Sequence, residues 1–355
     1  MGAVLVMNAG STSVKLHVVD EDGGVTPIES AGEAPRGLAA VGHRVVHGGE
    51  RFREPLVLDD AAVEALEGLS ALAPLHNGPA LRIVREARER FPAIPQVAVF
   101  DTAFHATIPE EASTYAVPRP WRDMGIRRYG FHGLSVEWST ERAAALLGAP
   151  PTRLVVCHIG GGASATAVLD GCSADTTMGF SPLEGLVMAT RAGSLDPDIP
   201  LHLILRRGLD PKAVECAINE EGGLLALAGT GDMREVEAAA DAGDAGAAGA
   251  LAVHDHRLAG AVAAMAASLG GLDALVFTGG AGEGSARLRA EAARRLAFLG
   301  VAVDPGRNRD VKPDAEITAP GAPVRTLVVG AREEIVIARA VRRTLGNAPT
   351  TRGET

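Results

Sequence analysis

Cysteine is scarce in this chain, and the few cysteines form no pattern of their own. Of its 355 residues three are cysteines, Cys157, Cys172 and Cys216, and no two of them form a C-x-x-C pair. A disulfide framework needs an even set of cysteines, and a zinc site needs closely spaced ligands, so the sequence predicts neither. We therefore expect a protein of the reducing cytoplasm.

Basic residues are also in the minority. The chain has 34 Lys and Arg against 44 Asp and Glu, which gives a formal net charge of -10. Nucleic acids bind to basic surfaces that neutralise their phosphates, so we expect no nucleic acid as the main partner. A local basic pocket for a small anion is compatible with this balance.

Long apolar runs are limited to one region, LAGAVAAMAASLGGLDALVFTGGAG at 258–282. This region is mostly Ala and Gly, it contains Asp273, and its pattern changes from an Ala-rich helix to a strand. A buried helix–strand unit fits this pattern better than a membrane span. The first residues carry no basic region, and Asn8 and Lys15 come too early for a signal peptide. We expect no membrane partner.

The sequence repeats one design. VLVMNAGSTSVKLHVVD at 4–20 predicts two strands joined by a tight, hydroxyl-rich turn, and LVVCHIGGGASATAVLDG at 154–171 has the same plan. After each of these hairpins, strands and helices alternate along the chain. This pattern predicts two similar α/β halves, each presenting a glycine-rich turn to a central cleft.

A third glycine-rich segment, TGGAGEG at 278–284, follows a predicted strand and precedes a predicted helix. Glycines allow backbone N–H groups to approach an anion, and the N-terminus of a helix attracts negative charge. Each segment alone is compatible with an ordinary tight turn. Three such segments after strands indicate a site for nucleotide phosphates.

Other nucleotide-binding signatures are missing. The sequence GAGEG comes late in the chain, without the βαβ unit and acidic residue of a dinucleotide fingerprint. The Walker lysine motif and the HRD and DFG motifs of protein kinases are absent. The nucleotide site is therefore of another type.

Arg and His residues stand in dense glycine-containing segments. Arg44 lies in GHRVVHGG, His132 in RYGFHGLS, and Arg191 in TMGFSPLEGLVMATRAGSLDPDIP, on a predicted loop after a helical run. An isolated Arg is usually a solvated surface charge, and a His beside Phe is usually a core residue. Their density in a chain with only 3% aromatic residues indicates a site for an anion.

These segments resemble the acetate kinases, members of the acetate and sugar kinase/Hsp70/actin superfamily. The resemblance runs in order through nearly the full length, in NAGSTSVK, HRVVHGG, APLHNGP, VFDTAFHATIP, RYGFHGLS, HIGGGAS, GFSPLEGLVMATRAGSLDP, FTGGAGEG and REEIVIAR. It implies reversible phosphorylation of acetate to acetyl phosphate by direct in-line transfer from ATP, with ADP as product. It also implies Mg2+, with Mn2+ as an alternative, and a homodimer.

The resemblance further implies the fold, two duplicated ribonuclease H-like domains of the actin-like ATPase type that face a central nucleotide cleft. The expected first domain comprises residues 1–105 and a returning C-terminal helix at 335–355. The expected second domain, 106–334, carries most of the nucleotide contacts.

Site residues follow position by position from the same resemblance. The metal positions match Asn8 and Glu333. The catalytic positions match Arg44, Asp101, His132 and Arg191. The substrate-binding positions match Arg44, Val46, Leu75, Phe131 and Pro182. The nucleotide-binding positions match Lys15, His158, Ile159, Gly160, Gly161, Gly162, Asp232, Met233, Arg234, Gly280, Ala281, Gly282, Glu283 and Gly284.

The chemistry of acetate explains this selection. A carboxylic acid with a pKa near ~4–5 is already ionised at neutral pH, so the nucleophile needs no general base. The difficulty is to bring two anions together, and two arginines, His132 and Mg2+ can neutralise their charge. Members of the family often have an acid–base role assigned to the residue that matches Asp101. We expect Asp101 instead to position Arg44 or a metal-bound water.

The chain departs from its family at several positions. Gly161 stands where Asn is usual, Ala192 and Ser194 replace polar and acidic residues after Arg191, and Gly284 replaces Asn. The segment between Lys15 and Arg44 is also shorter than usual. Two alternatives therefore remain open, a propionate or butyrate kinase and a nucleotide-binding regulator that has lost turnover.

Overall fold

The computed structural model describes residues 2–9, 14–68 and 74–347, without the side chains of 74–76 and 347. The chain divides into two units. The described residues of Met1–Ala106 and Arg332–Thr355 form unit 1, and Thr107–Ala331 form unit 2. Glu333 thereby lies in unit 1, although the expected division at 334 left it in the second domain.

Each unit has its own mixed sheet and its own helices. The strands are β1 Val4–Ala9, β2 Val14–Val19, β3 Val25–Ile28, β4 Ala40–Val45, β5 Leu56–Val57, β6 Gln96–Phe100, β7 Arg153–Ile159, β8 Ala163–Leu169, β9 Cys172–Thr176, β10 Ala274–Thr278, β11 Ala315–Glu316 and β12 Arg325–Val328. The α-helices are α1 Asp60–Gly68, α2 Pro74–Arg90, α3 Glu110–Ser113, α4 Arg119–Arg122, α5 Gly133–Leu147, α6 Asp198–Arg207, α7 Pro211–Glu220, α8 Gly223–Ala228, α9 Met233–Asp241, α10 Ala245–Ser268, α11 Gly279–Gly284, α12 Ala286–Arg295, α13 Pro305–Arg309 and α14 Glu333–Asn347.

The two sheets have the same topology. In unit 1 the strand order is β3-β2-β1-β4-β6-β5, and in unit 2 the order is β9-β8-β7-β10-β12-β11. In each sheet the first three strands form an antiparallel meander, the next two strands in the order run parallel to the first strand of the meander, and the edge strand is antiparallel. The predicted duplicated α/β fold is confirmed.

Helices cover both faces of the sheet in unit 1. Leu5, Met7 and Val41 pack with Ala87 of α2 in one buried cluster. On the other face α14 approaches β4 so closely that a methyl group on Gly42 would lie 2.8 Å from both Ile337 and Val341. Alternate residues of a strand point to opposite faces, so β4 serves both layers. The near-continuous burial of β1 and β6 follows from this double cover.

In unit 2 the long helix α10 packs on β7, β8 and β9, and α5 packs on β7 and β10. The predicted helix–strand unit at 258–282 is α10 followed by β10. No helix within the described ranges is long and apolar enough to cross a membrane.

Two local expectations were wrong. The third glycine-rich segment is the short helix α11 rather than a turn, since the side chain of Glu283 accepts a hydrogen bond from the Gly279 N–H (3.1 Å) and stabilises its first turn. Residues 177–197 form turns and bends rather than a helical run before Arg191. Gly185 and Gly193 take positive φ values of 113° and 75° there, and such values end a helix.

Candidate active site

In unit 1 the parallel strands place three polar side chains at one edge of the sheet. β1, β4 and β6 run parallel, and Asn8, Arg44 and Asp101 stand at or just beyond equivalent positions near their carboxyl ends. The carboxyl ends of parallel strands meet at the same edge, which is where α/β folds bind ligands. Helix α14 begins at the same place with Glu333.

Arg44 connects these residues. Its Nε donates to Oδ1 of Asp101 (3.0 Å), and its Nη2 donates to Oδ2 of the same carboxylate. Its Nη1 donates to Oδ1 of Asn8 (3.1 Å) and lies 3.5 Å from Oε2 of Glu333. The Nδ2 of Asn8 in turn donates to that Oε2 (2.8 Å). The four side chains therefore hold one another in place.

The charges in this cluster keep Arg44 protonated. Burial lowers the pKa of the guanidinium, but the carboxylates of Asp101 and Glu333 outweigh burial and raise the pKa above its ordinary value. Only 13% of the Arg44 side chain and 1% of the Asp101 side chain are exposed. Two carboxylates face one guanidinium, so the cluster can accept a further cation.

A hard divalent cation fits the donors of this cluster. Asn8 and Glu333 offer amide and carboxylate oxygens, which Mg2+ prefers. Within 2–9, 14–68 and 74–347, no group of three or more His, Cys, Asp or Glu residues is placed to hold a metal. A metal held by the protein at Asn8 and Glu333 would therefore keep several ligands for water and phosphate, as Mg2+ commonly does.

The histidines beside Arg44 are core residues. Nε2 of His43 hydrogen-bonds to Oε1 of Gln96 (2.8 Å), and burial lowers the pKa of His43 to about 4. The backbone N–H of His47 donates to Oδ1 of Asn77 (3.1 Å), whose Nδ2 donates back to the His47 carbonyl (3.0 Å). Asn77 thus holds the segment that follows β4, and with it the buried Val46.

Lys15 and Leu75 are the remaining predicted residues of unit 1. Lys15 is exposed on β2 and pairs with Asn8 in the β1–β2 ladder. The turn at 10–13 lies outside the described residues. Leu75 belongs to the first turn of α2, and its side chain is also outside the description.

In unit 2 His132 and Arg191 meet at Gly162. A methyl group on Gly162 would lie 3.1 Å from Nε2 of His132 and 3.3 Å from Nη1 of Arg191. His132 stands just before α5 with a left-handed backbone (φ 61°), a conformation that costs a non-glycine residue about 1–3 kcal/mol. Strain of this kind is tolerated where it orients a functional side chain.

Two serines orient the imidazoles of this site. Nδ1 of His132 hydrogen-bonds to Ser164 (3.0 Å), and Nδ1 of His158 hydrogen-bonds to Ser135 (2.8 Å). The two rings lie 4.2 Å apart, and Nε2 of His158 would lie 3.6 Å from a methyl group on Gly160. Both Nε2 atoms are therefore close to the glycine loop, Gly160–Gly162, which follows β7.

Arg191 is a partly buried cation with no carboxylate partner among the described residues. Its Nη1 donates to the carbonyl of Pro182 (3.2 Å) and contacts the sulfur of Met188 (3.7 Å). Among the residues that the structure describes, no carboxylate lies within 4 Å of its guanidinium, and burial lowers its pKa. A partly buried arginine in this state is suited to bind an anionic ligand.

A polar network supports the loop that carries Pro182. Glu184 accepts hydrogen bonds from Nη2 of Arg128 (3.0 Å) and from the hydroxyl of Tyr115. Burial and this carboxylate raise the pKa of Tyr115. Sequence reasoning missed Tyr115, Glu184 and the two serines, although Glu184, Ser135 and Ser164 lie inside the quoted motifs. Phe131, next to His132, is fully buried.

A cavity of about 560 Å³ lies beside the glycine loop of unit 2. Its walls contain eight of the predicted nucleotide residues, namely Ile159, Gly160, Gly161, Asp232, Met233, Arg234, Gly280 and Ala281. They also contain six residues that sequence reasoning missed, namely Val187, Met188, Ala189, Leu224, Gly231 and His254. One part of the wall is glycine backbone, and another part is apolar.

The other predicted nucleotide residues lie outside this wall. Glu283 accepts hydrogen bonds from the backbone N–H groups of Gly279 (3.1 Å) and Ala331 (3.0 Å), so its role in the structure is to hold α11. The carbonyls of Gly282 and Glu283 accept from the buried Arg289, each at 2.8 Å. A methyl group on Gly161 would meet no described atom within 4 Å, so the missing Asn side chain leaves open space there.

Comparison with known proteins agrees with this arrangement. The family model described as the Acetokinase family matches residues 26–339. An acetate kinase of Clavibacter michiganensis subsp. michiganensis is 50% identical over 304 residues, which cover 84% of this chain and 77% of that protein.

Two solved structures are similar over almost the whole chain. A propionate kinase of Francisella tularensis subsp. tularensis has a TM-score of 0.89 and 35% identity, with 96% of this chain and 99% of that chain covered. An acetate kinase of Porphyromonas gingivalis has a TM-score of 0.86 and 33% identity, with 97% and 100% covered. The chain belongs to the acetokinase family.

Proposed function

We propose that this protein catalyses the reversible transfer of the γ-phosphoryl group of ATP to acetate, which yields acetyl phosphate and ADP. The observation that carries the proposal is the position of Arg191 and His132 at Gly162, beside the cavity in unit 2. A partly buried guanidinium that has no carboxylate partner among the described residues and lies next to the glycine loop suits a phosphoryl group in transfer.

The reaction needs charge neutralisation rather than proton removal. An oxygen of the ionised acetate attacks the γ-phosphorus, the bond from phosphorus to the bridging oxygen breaks, and ADP leaves with that electron pair. Arg44 neutralises the carboxylate, and Arg191 and His132 stabilise the charge on the phosphoryl oxygens. Asp101 holds one edge of the Arg44 guanidinium by two hydrogen bonds, from Nε and Nη2, so we assign it a positioning role.

We propose that the divalent metal is Mg2+, with Mn2+ able to replace it, and that Asn8 and Glu333 hold it. When bound, the metal would neutralise phosphate charge. The glycine segments at Gly160–Gly162 and Gly280–Ala281 would bind the phosphates, and Lys15 would add a further positive charge. The apolar part of the cavity, with Met233, would hold the base.

We propose acetate as the preferred acid. The residues assigned to its methyl group are Val46, Leu75, Phe131 and Pro182, of which Val46, Phe131 and Pro182 are buried. A branched side chain at Val46 limits the length of the acid. Propionate or butyrate kinases remain the second candidate, since one of the similar solved structures is a propionate kinase.

A coupled assay tests this function. Purified protein is supplied with ATP, Mg2+ and acetate, propionate or butyrate, and acyl phosphate is trapped as its hydroxamate. We expect acetyl hydroxamate at the highest kcat/KM, and loss of turnover by about 100- to 1000-fold in Arg191→Ala. Nucleotide binding without any acyl phosphate would favour the regulator instead, and highest kcat/KM with butyrate would contradict the choice of acetate.

We also propose a cytoplasmic homodimer. Support for the dimer comes from exposed apolar side chains on α6 and just beyond its end, namely Ile199, Leu201, Leu205 and Leu209, with Leu205 70% exposed. Exposed apolar patches of this kind often mark protein interfaces. Sedimentation should give a dimer for the parent protein and a monomer for Leu205→Glu, and a monomeric parent protein would contradict the proposal.

A further inference from the structure

His254 is a buried polar residue in the nucleotide cavity that the proposed reaction does not use. It lies on α10, is 3% exposed and lines the cavity together with Leu224 and Met233. Its Nδ1 lies 3.5 Å from Oδ1 of Asp255, and neither ring nitrogen completes a hydrogen bond with any other described residue. An imidazole in this position has hydrogen-bonding capacity left for a ligand.

Asp255 places a negative charge beside Nδ1 of His254. The carboxylate is buried and accepts a hydrogen bond from Nη2 of Arg287 (2.6 Å). Burial raises the pKa of Asp255, but the interactions with His254 and Arg287 hold it below its ordinary value, so the group stays ionised. The negative charge beside Nδ1 favours the proton on that nitrogen and leaves Nε2 with its lone pair.

The rest of the cavity suits a flat base. Val187, Leu224 and Met233 are buried apolar residues of its wall, and the glycine backbone of Gly160 and Gly280 suits phosphates. Adenine presents a 6-amino donor where hypoxanthine and guanine present a 6-oxo acceptor. A fixed acceptor in the cavity therefore pairs with adenine and meets a second lone pair in a 6-oxopurine.

We propose that Nε2 of His254 accepts a hydrogen bond from the 6-amino group of adenine and thereby selects adenine nucleotides over 6-oxopurine nucleotides. This selectivity rests on the proposed function only in that the cavity binds a nucleotide. A neutral hydrogen bond and the cost of an unpaired buried acceptor together change affinity by about ten- to a hundredfold. We expect ADP to bind more tightly than inosine diphosphate by about that factor.

The test compares four proteins in calorimetric titrations with ADP, inosine diphosphate and 2′-deoxy-ADP. The variants are His254→Phe, which removes the acceptor, His254→Gln, whose side-chain oxygen can still accept, and His256→Phe as a control. His256 is an exposed histidine on the same helix, two residues further on. Thermal unfolding of each variant verifies that it folds.

We expect His254→Phe to reduce the preference for ADP over inosine diphosphate to about threefold or less, His254→Gln to retain part of it, and His256→Phe to leave it unchanged. The preference for ADP over 2′-deoxy-ADP should stay the same in all four proteins. An unchanged ADP to inosine diphosphate ratio in His254→Phe would overturn the proposal, and so would equal affinity of the parent protein for the two diphosphates, a result that does not depend on whether the Phe variant folds. The proposal would also be overturned if His254→Phe changed only the affinity for 2′-deoxy-ADP, or if the parent protein bound neither ADP nor inosine diphosphate.

These titrations need no turnover. If the parent protein prefers ADP as expected but forms no acyl phosphate, the proposed function fails while the role of His254 stands. If acyl phosphate forms from ATP and ITP with equal efficiency, and the two diphosphates also bind equally, the role of His254 fails while the proposed function stands.

Discussion

The guanidinium of Arg44 is joined to the carboxylate of Asp101 by two hydrogen bonds, one from Nε and one from Nη2. Both carboxylate oxygens are occupied, and the side chain of Asp101 is almost completely buried. A carboxylate in this state is a poor general base, because the cation beside it stabilises its charged form. The geometry instead makes Asp101 the residue that orients Arg44.

The first prediction follows from this pair. Asp101→Asn keeps the size of the side chain but loses its charge and one of its acceptors, so we expect kcat/KM for acetate to fall about 100-fold. In Arg44→Lys, kcat/KM for acetate should fall by a similar factor, since Lys cannot form the two-point contact with the carboxylate of Asp101. Steady-state kinetics as a function of pH checks both.

The pH profile separates positioning from general-base catalysis. The pKa of Arg44 is raised above its ordinary value, so its charge is present at all lower pH values and is lost only at strongly alkaline pH. The rate should therefore be flat from about pH 6 to about pH 9 and decline only below about pH 5, where acetate becomes protonated. An ascending limb near neutral pH that disappears in Asp101→Asn would indicate a general base.

The second prediction concerns the glycine loop. Gly162→Ala places a methyl group 3.1 Å from His132 and 3.3 Å from Arg191, so both side chains have to move. A misplacement of about 1 Å at a reacting centre can cost about 100-fold in rate, so for this smaller shift we expect kcat to fall by less than that factor. Gly161→Ala is the matched control, because a methyl group there meets no described atom within 4 Å. Equal kcat values in the two variants would show that the contact of Gly162 with His132 and Arg191 does not limit the rate.

The third prediction concerns the metal. Glu333→Gln keeps an oxygen near Asn8 but loses the charge, so we expect the Mg2+ concentration for half-maximal activity to rise at least about tenfold. Glu334→Gln, the next residue of the same helix, serves as the control. Mg2+ titrations of activity check the prediction. Full activity in excess chelator, or the same metal dependence in both variants, would contradict the assignment.

The fourth prediction concerns the acid. Val46→Ala removes two methyl groups from a buried side chain and makes room for a longer substrate. One methylene in an apolar pocket is worth about 1–3 kcal/mol, so propionate should gain on acetate by roughly tenfold or more. Comparison of kcat/KM for both acids in the parent protein and the variant measures the change. A constant ratio would mean that Val46 does not contact the acid.

The duplicated fold could be predicted from the sequence because the evidence for it lies in two short segments of the chain. The designs at 4–20 and 154–171 are pairs of apolar segments separated by a glycine-rich stretch, and they appear directly as β1–β2 and β7–β8. Arg44 was identified from its glycine-containing segment, and Asp101 from the resemblance to the family. Strand pairing then brings them together, although 57 residues separate them in the chain.

Sequence reasoning failed where tertiary contacts decide. Helix α11 is built largely of glycine, and the side chain of Glu283 and the buried Arg289 stabilise it. Local glycine content alone predicts a turn there. His254 stands in an Ala-rich helix with no motif around it, and it reaches the cavity only because α10 packs against α8 and α9.

The most direct test of the central claim is 31P NMR of the product formed from ATP and acetate labelled with 18O in both carboxylate oxygens. Direct attack by the carboxylate predicts acetyl phosphate whose phosphorus signal shows the isotope shift of one bridging 18O. If the only new phosphorus signals are ADP and unlabelled inorganic phosphate, the enzyme transfers the phosphoryl group to water, and the account of a carboxylate kinase is wrong.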